Sequence, residues 1–265
     1  MMGTLIPTEM LKLFRQPAIL FWGFLVVPLV AVLLKLVIEG FFIIRMGHWG
    51  AGDVDLFLSA ARSLSLSGNS LGHLLFALGV ASVFFLEYRY STWRLLVPRH
   101  ARFELYGAKL VVCLAWLALG LLVVALGDVA LNLLFSLLKG QPEGALLVSV
   151  GSFSLLLAAA GIAFLELAVL ASLVALIVVV FRSMIVAVLS AFLLAIGSSL
   201  LQLYLGTDAD RLPLPSYAAQ ALRDWLLAGG SPVSAMLGFA VLVGWLVILT
   251  ALGLGVFSRQ QLAVE

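Results

Sequence analysis

Few residues in this sequence have the type and spacing that chemistry requires. Glu166 is the single acid in an apolar stretch of 37 residues, 145–181. A carboxylate that faces lipid is costly, so we expect Glu166 to point into the protein or into a water-filled cavity. There it would contact a cationic substrate or serve as a proton site. Alternatively, a neighbouring helix satisfies it, with His73 or a serine nearby.

The remaining reactive side chains are too scattered to form a catalytic or metal site. His48, His73 and His100 lie far apart in the chain, and Cys113 is the only cysteine. This spacing gives neither a metal-ligand pattern nor an internal disulfide, and the sequence contains no G-x-x-x-x-G-K-[ST] phosphate loop. We therefore expect no enzymatic activity, no metal, no cofactor bound by this chain and no nucleic-acid partner. An intramembrane hydrolase would need paired catalytic groups at membrane depth, which are not apparent.

The composition predicts an all-α integral membrane protein. The 265 residues are 64% hydrophobic and only 11% charged, whereas a soluble domain carries about 25% charged residues. A transmembrane helix needs about 20 consecutive, mostly apolar residues, and six stretches approach or exceed that length. These predicted spans are residues 18–38, 70–87, 108–127, 153–181, 184–205 and 233–257. Together with their connections they form one transmembrane domain, residues 1–265.

Three shorter amphipathic segments are predicted to lie on the membrane surface. Residues 5–16 form an N-terminal interfacial helix, which Pro17 separates from the first span. Residues 53–66 and 215–228 form two helices on the outer face, and Asp53 is in a position to cap the first of them. These two helices either cover an exit or float at the lipid interface.

Basic residues cluster in one place, the stretch from Glu87 to Lys109 between the second and third spans. Lys and Arg are enriched in cytoplasmic segments of membrane proteins. This rule predicts that residues 88–107 and both chain termini are cytoplasmic.

The same stretch resembles the joint between the second and third spans in permeases of the type-2 ABC transporter family, also called type V exporters. The matching positions are Glu87, Ser91, Thr92, Leu95, Leu96, Pro98, Arg102 and Lys109. Serine at position 91 replaces the commoner glycine. The E-x-x-K-x-x-R pattern of Glu9, Lys12 and Arg15, the six spans and the helical loop before the sixth extend the resemblance over essentially the whole chain.

The resemblance implies that residues 88–107 contain a coupling helix that docks on a separate ATPase subunit. The implied coupling residues are Glu87, Arg89, Thr92, Trp93, Arg94, Leu95, Leu96, Arg99 and Arg102, with Glu9, Lys12 and Arg15 contributed by the N-terminal interface helix. Trp93 and the two leucines would be apolar anchors, and Arg94 and Arg99 would pair with acids on the partner. The alternative is that these arginines only bind anionic lipid and set the topology.

The function implied is that of the membrane-spanning permease subunit of an ATP-driven exporter in a bacterial-type inner membrane. ATP and Mg²⁺ would bind the partner ABC ATPase, and a second copy or a sister permease chain would complete the pathway. The apolar interior favours a hydrophobic or amphipathic substrate such as a lipid, peptide or drug-like molecule. The alternative is a gradient-driven carrier or a non-transporting membrane assembly subunit, although the internal repeats typical of carriers are not apparent.

Overall fold

The computed structural model describes residues 2–46, 54–98, 100–139, 146–205 and 212–260. Within these residues six helices are long and apolar enough to cross a membrane. They confirm the prediction of an all-α integral membrane protein. Asp53 and Arg99 lie outside the described residues.

Thirteen helical elements, counted in the described residues, make up the bundle and its two ends. The six spans are α2–α3 (Pro17–Leu20 and Val26–Met46, joined by a π-helical turn, Phe21–Leu25), α5 (Ser70–Arg89), α7 (Arg102–Lys139), α8 (Val150–Phe181), α9 (Met184–Leu205) and α11 (Pro232–Arg259). The shorter helices are α1 (Met2–Phe14), α4 (Leu56–Ser63), a 3₁₀ turn (Leu64–Gly68), α6 (Trp93–Leu96) and α10 (Pro215–Ala228).

Successive spans run in opposite directions, which separates the short helices into two groups. Helices α1 and α6 lie at one end of the bundle, named here the α1 end. Helices α4 and α10 lie at the opposite end, named here the cap end. Spans 2 and 4 form the centre, because 61% of the most apolar stretch of each is buried, against 22%, 22% and 17% for spans 1, 5 and 6. Spans 1, 5 and 6 therefore present much of their surface to lipid or to another chain.

Small residues allow the first two spans to touch through their backbones. A Cβ atom added to Gly23, in the π-helical turn, would lie 2.4 Å from the Cα atom of Gly79 in span 2. Such small-residue contacts replace the hydrophobic driving force that is absent between helices in lipid. Towards the α1 end the core is filled by aromatic rings instead, and Phe84, Tyr106 and Phe257 are fully buried there.

Helix α4 begins after a short pairing of two extended segments. Val54–Asp55 pairs in parallel with Leu146–Leu147, and the Asp55 carboxylate then accepts hydrogen bonds from the backbone N–H groups of Phe57 and Leu58, each at 3.1 Å. Asp55, rather than the predicted Asp53, therefore caps α4, because its extended backbone turns the carboxylate back over the first turn. A hydrogen bond from Ser152, with these two N–H groups, lowers the pKa of Asp55 below its ordinary value.

Candidate functional site

Four charged side chains form a buried cluster at the α1 end, named here the α1-end cluster: Glu9, Lys12, Glu87 and Lys109. The Lys109 Nζ atom donates to Glu9 Oε2 at 2.6 Å and to Glu87 Oε1 at 2.9 Å. The Lys12 Nζ atom donates to Glu9 Oε1 at 2.6 Å and to Glu87 Oε1 at 3.0 Å. The cluster thus ties α1 to the end of span 2 and to the beginning of span 3.

Charge balance makes this burial tolerable, because the cluster holds two acids and two bases. The Lys109 side chain is only 3% exposed, whereas that of Lys12 is 42% exposed. Partial burial disfavours the charged form of Lys12, but the hydrogen bonds and charges of Glu9 and Glu87 outweigh it and raise its pKa above the ordinary value. Beside the cluster lies an open cavity of about 160 Å³, which Gln16 and Tyr90 also line.

The turn between spans 2 and 3 is tied to the same cluster. The Thr92 hydroxyl donates to Glu87 Oε2, and the Thr92 backbone N–H donates to the Glu87 carbonyl at 3.1 Å. Ser91, which precedes it, has a positive φ of 53°. This is the left-handed conformation that glycine adopts at the lowest cost. A glycine is thus the conformationally favoured residue at position 91.

A second buried cluster lies at the cap end, named here the cap-end cluster: Ser67, His73, Glu166 and Arg223. Glu166 is 2% exposed, and its Oε2 atom accepts hydrogen bonds from Arg223 Nη2 and, at 3.0 Å, from Ser67 Oγ. The Arg223 Nη2 atom also contacts Ser67 Oγ at 2.8 Å. The His73 Nε2 atom lies 3.9 Å from Glu166 Oε1. Span 4 is thus hydrogen-bonded to the 3₁₀ turn and to α10, and His73 of span 2 faces Glu166 without a hydrogen bond.

A third polar group braces span 1 against span 3. The Lys35 Nζ atom donates to Asp128 Oδ1 at 2.6 Å and to Asn132 Oδ1 at 3.1 Å. Ser59 of α4 joins them, donating to Asp128 Oδ2 at 2.8 Å. Because these groups satisfy one another, helix α7 continues without a break past Asp128 and Asn132 to Lys139.

A comparison with models of protein families identifies the family of this chain. A family model described as "ABC-2 family transporter protein" matches residues 5–198, from α1 into α9. The chain belongs to the ABC-2 transporter family. Searches of the curated proteins and of the solved structures returned no match. The α1-end cluster therefore lies within the matched part of this ABC-2 permease, whereas Arg223 of the cap-end cluster lies beyond it.

The ABC-2 permease places Trp93 differently from the sequence-based expectation. Its side chain is 2% exposed, and its ring packs against Phe257 at 4.7 Å and Tyr88 at 5.8 Å between ring centroids. The Lys109 ammonium lies 5.5 Å from the same ring. Burial of the indole inside the chain leaves almost no surface of Trp93 for another protein. A role of Trp93 as an anchor for a partner stays a prediction.

Arg102 is likewise committed to contacts within the chain. Its Nη1 atom donates to the backbone carbonyls of Phe257, Ser258 and Gln260 at 3.3, 2.8 and 2.6 Å. A cation at this position satisfies the last carbonyl groups of a helix and complements its dipole. Arg102 thus holds the end of span 6 against the beginning of span 3. The side chain is half-buried, and direct contact of Arg102 with an ATPase stays a prediction.

Only part of the predicted coupling surface is accessible. Arg15 and Arg89 are exposed, and the Arg89 guanidinium lies 5.7 Å from the ring centroid of Tyr90. Leu96 is half-buried and packs against the core. Arg99, and the side chains of Arg94 and Leu95, lie outside what the structure describes. Direct docking by these residues stays a prediction.

Arg223 is a member of the cap-end cluster that the sequence analysis does not single out. It lies in α10, which corresponds to the predicted outer-face helix 215–228, but it is 8% exposed and paired with Glu166. The sequence signal for such a partner is Glu166 itself, because a buried carboxylate requires a cation or several hydrogen-bond donors nearby. Among the described residues, no three His, Cys, Asp or Glu side chains come together as a metal-binding group.

Proposed function

We propose that this chain is the permease subunit of an ATP-driven ABC exporter and that it couples to a separate ATPase subunit. The observation that carries the proposal is the α1-end cluster, which lies within the part of the chain matched by the ABC-2 family model. A transport subunit driven from outside the membrane needs a rigid connection between its docking surface and its spans. The α1-end cluster has the geometry of such a connection.

The mechanical argument follows from which elements the cluster joins. Lys109 in span 3 bonds both Glu9 in α1 and Glu87 in span 2, and Thr92 brings in the turn that leads to α6. Charge-assisted hydrogen bonds have restricted geometry, and closely packed interiors transmit displacement. A push on α1 or on α6 would therefore move the ends of spans 2 and 3 together rather than separately.

Electrostatics favours an acidic docking partner. The exposed Arg15 and Arg89 lie at the α1 end, and Arg94 and Arg99 belong to the same basic stretch of the sequence. Acidic groups on an ATPase subunit would be steered to this end and held in register by it. ATP and Mg²⁺ would bind that subunit, at its own phosphate loop.

A second copy or a sister chain would complete the transport pathway. Spans 1, 5 and 6 leave most of their apolar surface uncovered within one chain, which is the arrangement expected of a half-pathway that pairs laterally. The low density of charge along the spans favours a hydrophobic or amphipathic substrate.

The experiment that tests this function is recovery of the tagged chain from its native membranes in mild detergent, followed by mass spectrometry. We expect a protein with a phosphate loop in near-equal amount. Arg94→Glu should abolish its recovery and its stimulation of transport while membrane insertion is unchanged. The matched control is Arg62→Glu, the same charge reversal at an exposed arginine of the cap end, which should retain the partner. Recovery of the chain alone would favour a gradient-driven carrier or an assembly subunit.

A further inference from the structure

Two buried polar atoms of the cap-end cluster have no hydrogen-bond partner. They are Nε2 of His73 and Oε1 of Glu166, which lie 3.9 Å apart. The side chains are 8% and 2% exposed. A buried donor or acceptor without a partner costs about 1–3 kcal/mol, so each such group in a native structure requires an explanation, for example a bound molecule that supplies the missing hydrogen bond. These two atoms therefore keep their hydrogen-bonding capacity inside the protein.

The pair lies at one end of a mostly apolar cleft, whose lining also includes Ser216. Spans 4, 5 and 6 contribute the walls, which include Leu173, Leu194 and Leu249. Leu173 follows Glu166 by seven residues on the same helix, so the walls extend about 10 Å from the cap end towards the middle of the bundle. Leu194 is 39% exposed, so the cleft reaches the outer surface of the bundle beside span 5. Its shape is that of a site for an amphiphile with a small polar head.

The charges decide what kind of head fits. Arg223 already neutralises Glu166. A neutral imidazole with its proton on Nε2 donates one hydrogen bond, and the free carboxylate oxygen accepts one. A hydroxyl group is the smallest neutral group that accepts the first bond and donates the second. An ammonium head would instead add an uncompensated charge close to Arg223.

The available space agrees with a small head. The part of the cleft that is wide enough for water has a volume of about 30 Å³, which is room for about two water molecules. With a hydroxyl oxygen about 2.8 Å from each of the two atoms, the angle from His73 Nε2 through that oxygen to Glu166 Oε1 would be roughly 90°. The apolar tail would then lie along the leucine-lined walls, where the empty space is about 430 Å³ including the part open to the surroundings, and pass out beside Leu194 into the lipid.

We propose that the His73–Glu166 pair and the cleft below it form a binding site for a neutral amphiphile with one hydroxyl group. The hydroxyl accepts a hydrogen bond from His73 and donates one to Glu166, and the tail packs between spans 4, 5 and 6. Binding at this site requires neither the ATPase partner nor transport, so its test is separate from that of the proposed function.

The test uses three photoreactive compounds with the same twelve-carbon tail: 1-dodecanol, its methyl ether and dodecylamine, each with a diazirine in the tail. The full chain is labelled in lipid nanodiscs, and the labelled residues are mapped by mass spectrometry. We expect the alcohol to label the cleft walls about tenfold more efficiently than the ether, because the ether cannot donate to Glu166. The amine should label them no better than the ether.

Two variants and one control connect the labelling to the site. His73→Phe keeps a ring of similar size and leaves the Glu166–Arg223 pair intact, and it should reduce labelling by the alcohol to the level of the ether. Leu194→Trp obstructs the mouth of the cleft and keeps both polar groups, and it should reduce labelling by all three compounds. His100→Phe is the same exchange at the α1 end, and labelling of the cleft should remain unchanged.

Equal labelling by alcohol and ether in the unaltered chain would overturn the proposal, since it would leave the two polar atoms with water alone. A preference for the amine would also overturn it and would assign the site to cations. Should His73→Phe fail to fold, Leu194→Trp decides the question, because unchanged labelling in that variant would place the amphiphile elsewhere.

Discussion

The two buried charge clusters of this permease are built from similar residues but differ in completeness. In the α1-end cluster both carboxylates are fully engaged, since Glu9 accepts from two lysines and Glu87 accepts from two lysines and Thr92. In the cap-end cluster Glu166 uses only one of its oxygens, and the facing atom of His73 is also unused. Every carboxylate oxygen of the α1-end cluster has a hydrogen-bond partner, and this cluster is named the closed cluster. The cap-end cluster, in which one carboxylate oxygen has none, is named the open cluster.

This difference separates two uses of buried charge. A fully satisfied network holds several elements in one geometry, because every departure breaks charge-assisted bonds. A partly satisfied network keeps hydrogen-bonding capacity that a ligand can fill. The closed cluster suits the transmission of movement from α1 and α6, and the open one suits recognition. We make four predictions on stability, of which three concern the two clusters and one concerns the cap of α4. Each is measured as the free energy of unfolding of the purified chain in one detergent.

The largest effect is expected for Lys109→Met in the closed cluster. Removal of this cation leaves Glu9 and Glu87 with Lys12 alone, and breaking a buried pair in this way typically costs about 3–5 kcal/mol. Lys12→Met is the internal control, since its side chain is 42% exposed and an ion pair so accessible contributes at most about 1 kcal/mol. Equal losses in the two variants would show that the cluster is not closed around Lys109.

The next effect is expected for Arg223→Met in the open cluster, at about 3 kcal/mol, because Glu166 is left as a buried charge. Adding Glu166→Gln to this variant should restore much of the lost stability, since the double variant buries no unpaired charge. A double-mutant cycle measures this coupling. Additive losses would mean that the two side chains do not interact as the geometry indicates.

A smaller effect is expected for Asp55→Ala, which removes the cap of α4 and should cost about 1 kcal/mol near neutral pH. Folding lowers the pKa of Asp55. Its carboxylate therefore stabilises the protein at pH values above about 4, the ordinary pKa of aspartate in the unfolded chain. That contribution is lost as the pH falls through the lowered value. The difference between the unaltered chain and the variant should therefore shrink on acidification, and a constant difference would contradict the assigned cap.

The smallest effect is expected for His73→Phe, within about 0.5 kcal/mol, because the Nε2 atom has no bond to lose. Thr92→Val is the matched change in the closed cluster, where the hydroxyl does have a partner, and it should cost about 1 kcal/mol. A large loss in His73→Phe would show that Nε2 is bonded in the folded protein and would remove the opening from the cap-end cluster.

Much of the fold follows from hydrophobic patterning alone. Six runs of apolar residues are enough to predict six spans, since a backbone in lipid must satisfy its own hydrogen bonds as a helix. Trp93 shows a limit of prediction from hydrophobic patterning. A tryptophan in a short polar segment looks like an exposed anchor, and only the packing of Phe257 from the last span shows that it is internal.

The sequence by itself determined the membrane class, the number of spans, the basic character of the segment between spans 2 and 3, and the resemblance to the transporter family. All of these depend on composition and on neighbours along the chain. The tertiary structure alone decided the pairing of charges. Glu9 and Lys109 are 100 residues apart, and Glu166 and Arg223 are 57 apart. Coulombic and hydrogen-bond energies depend on distance in space, so no local pattern could assign these partners.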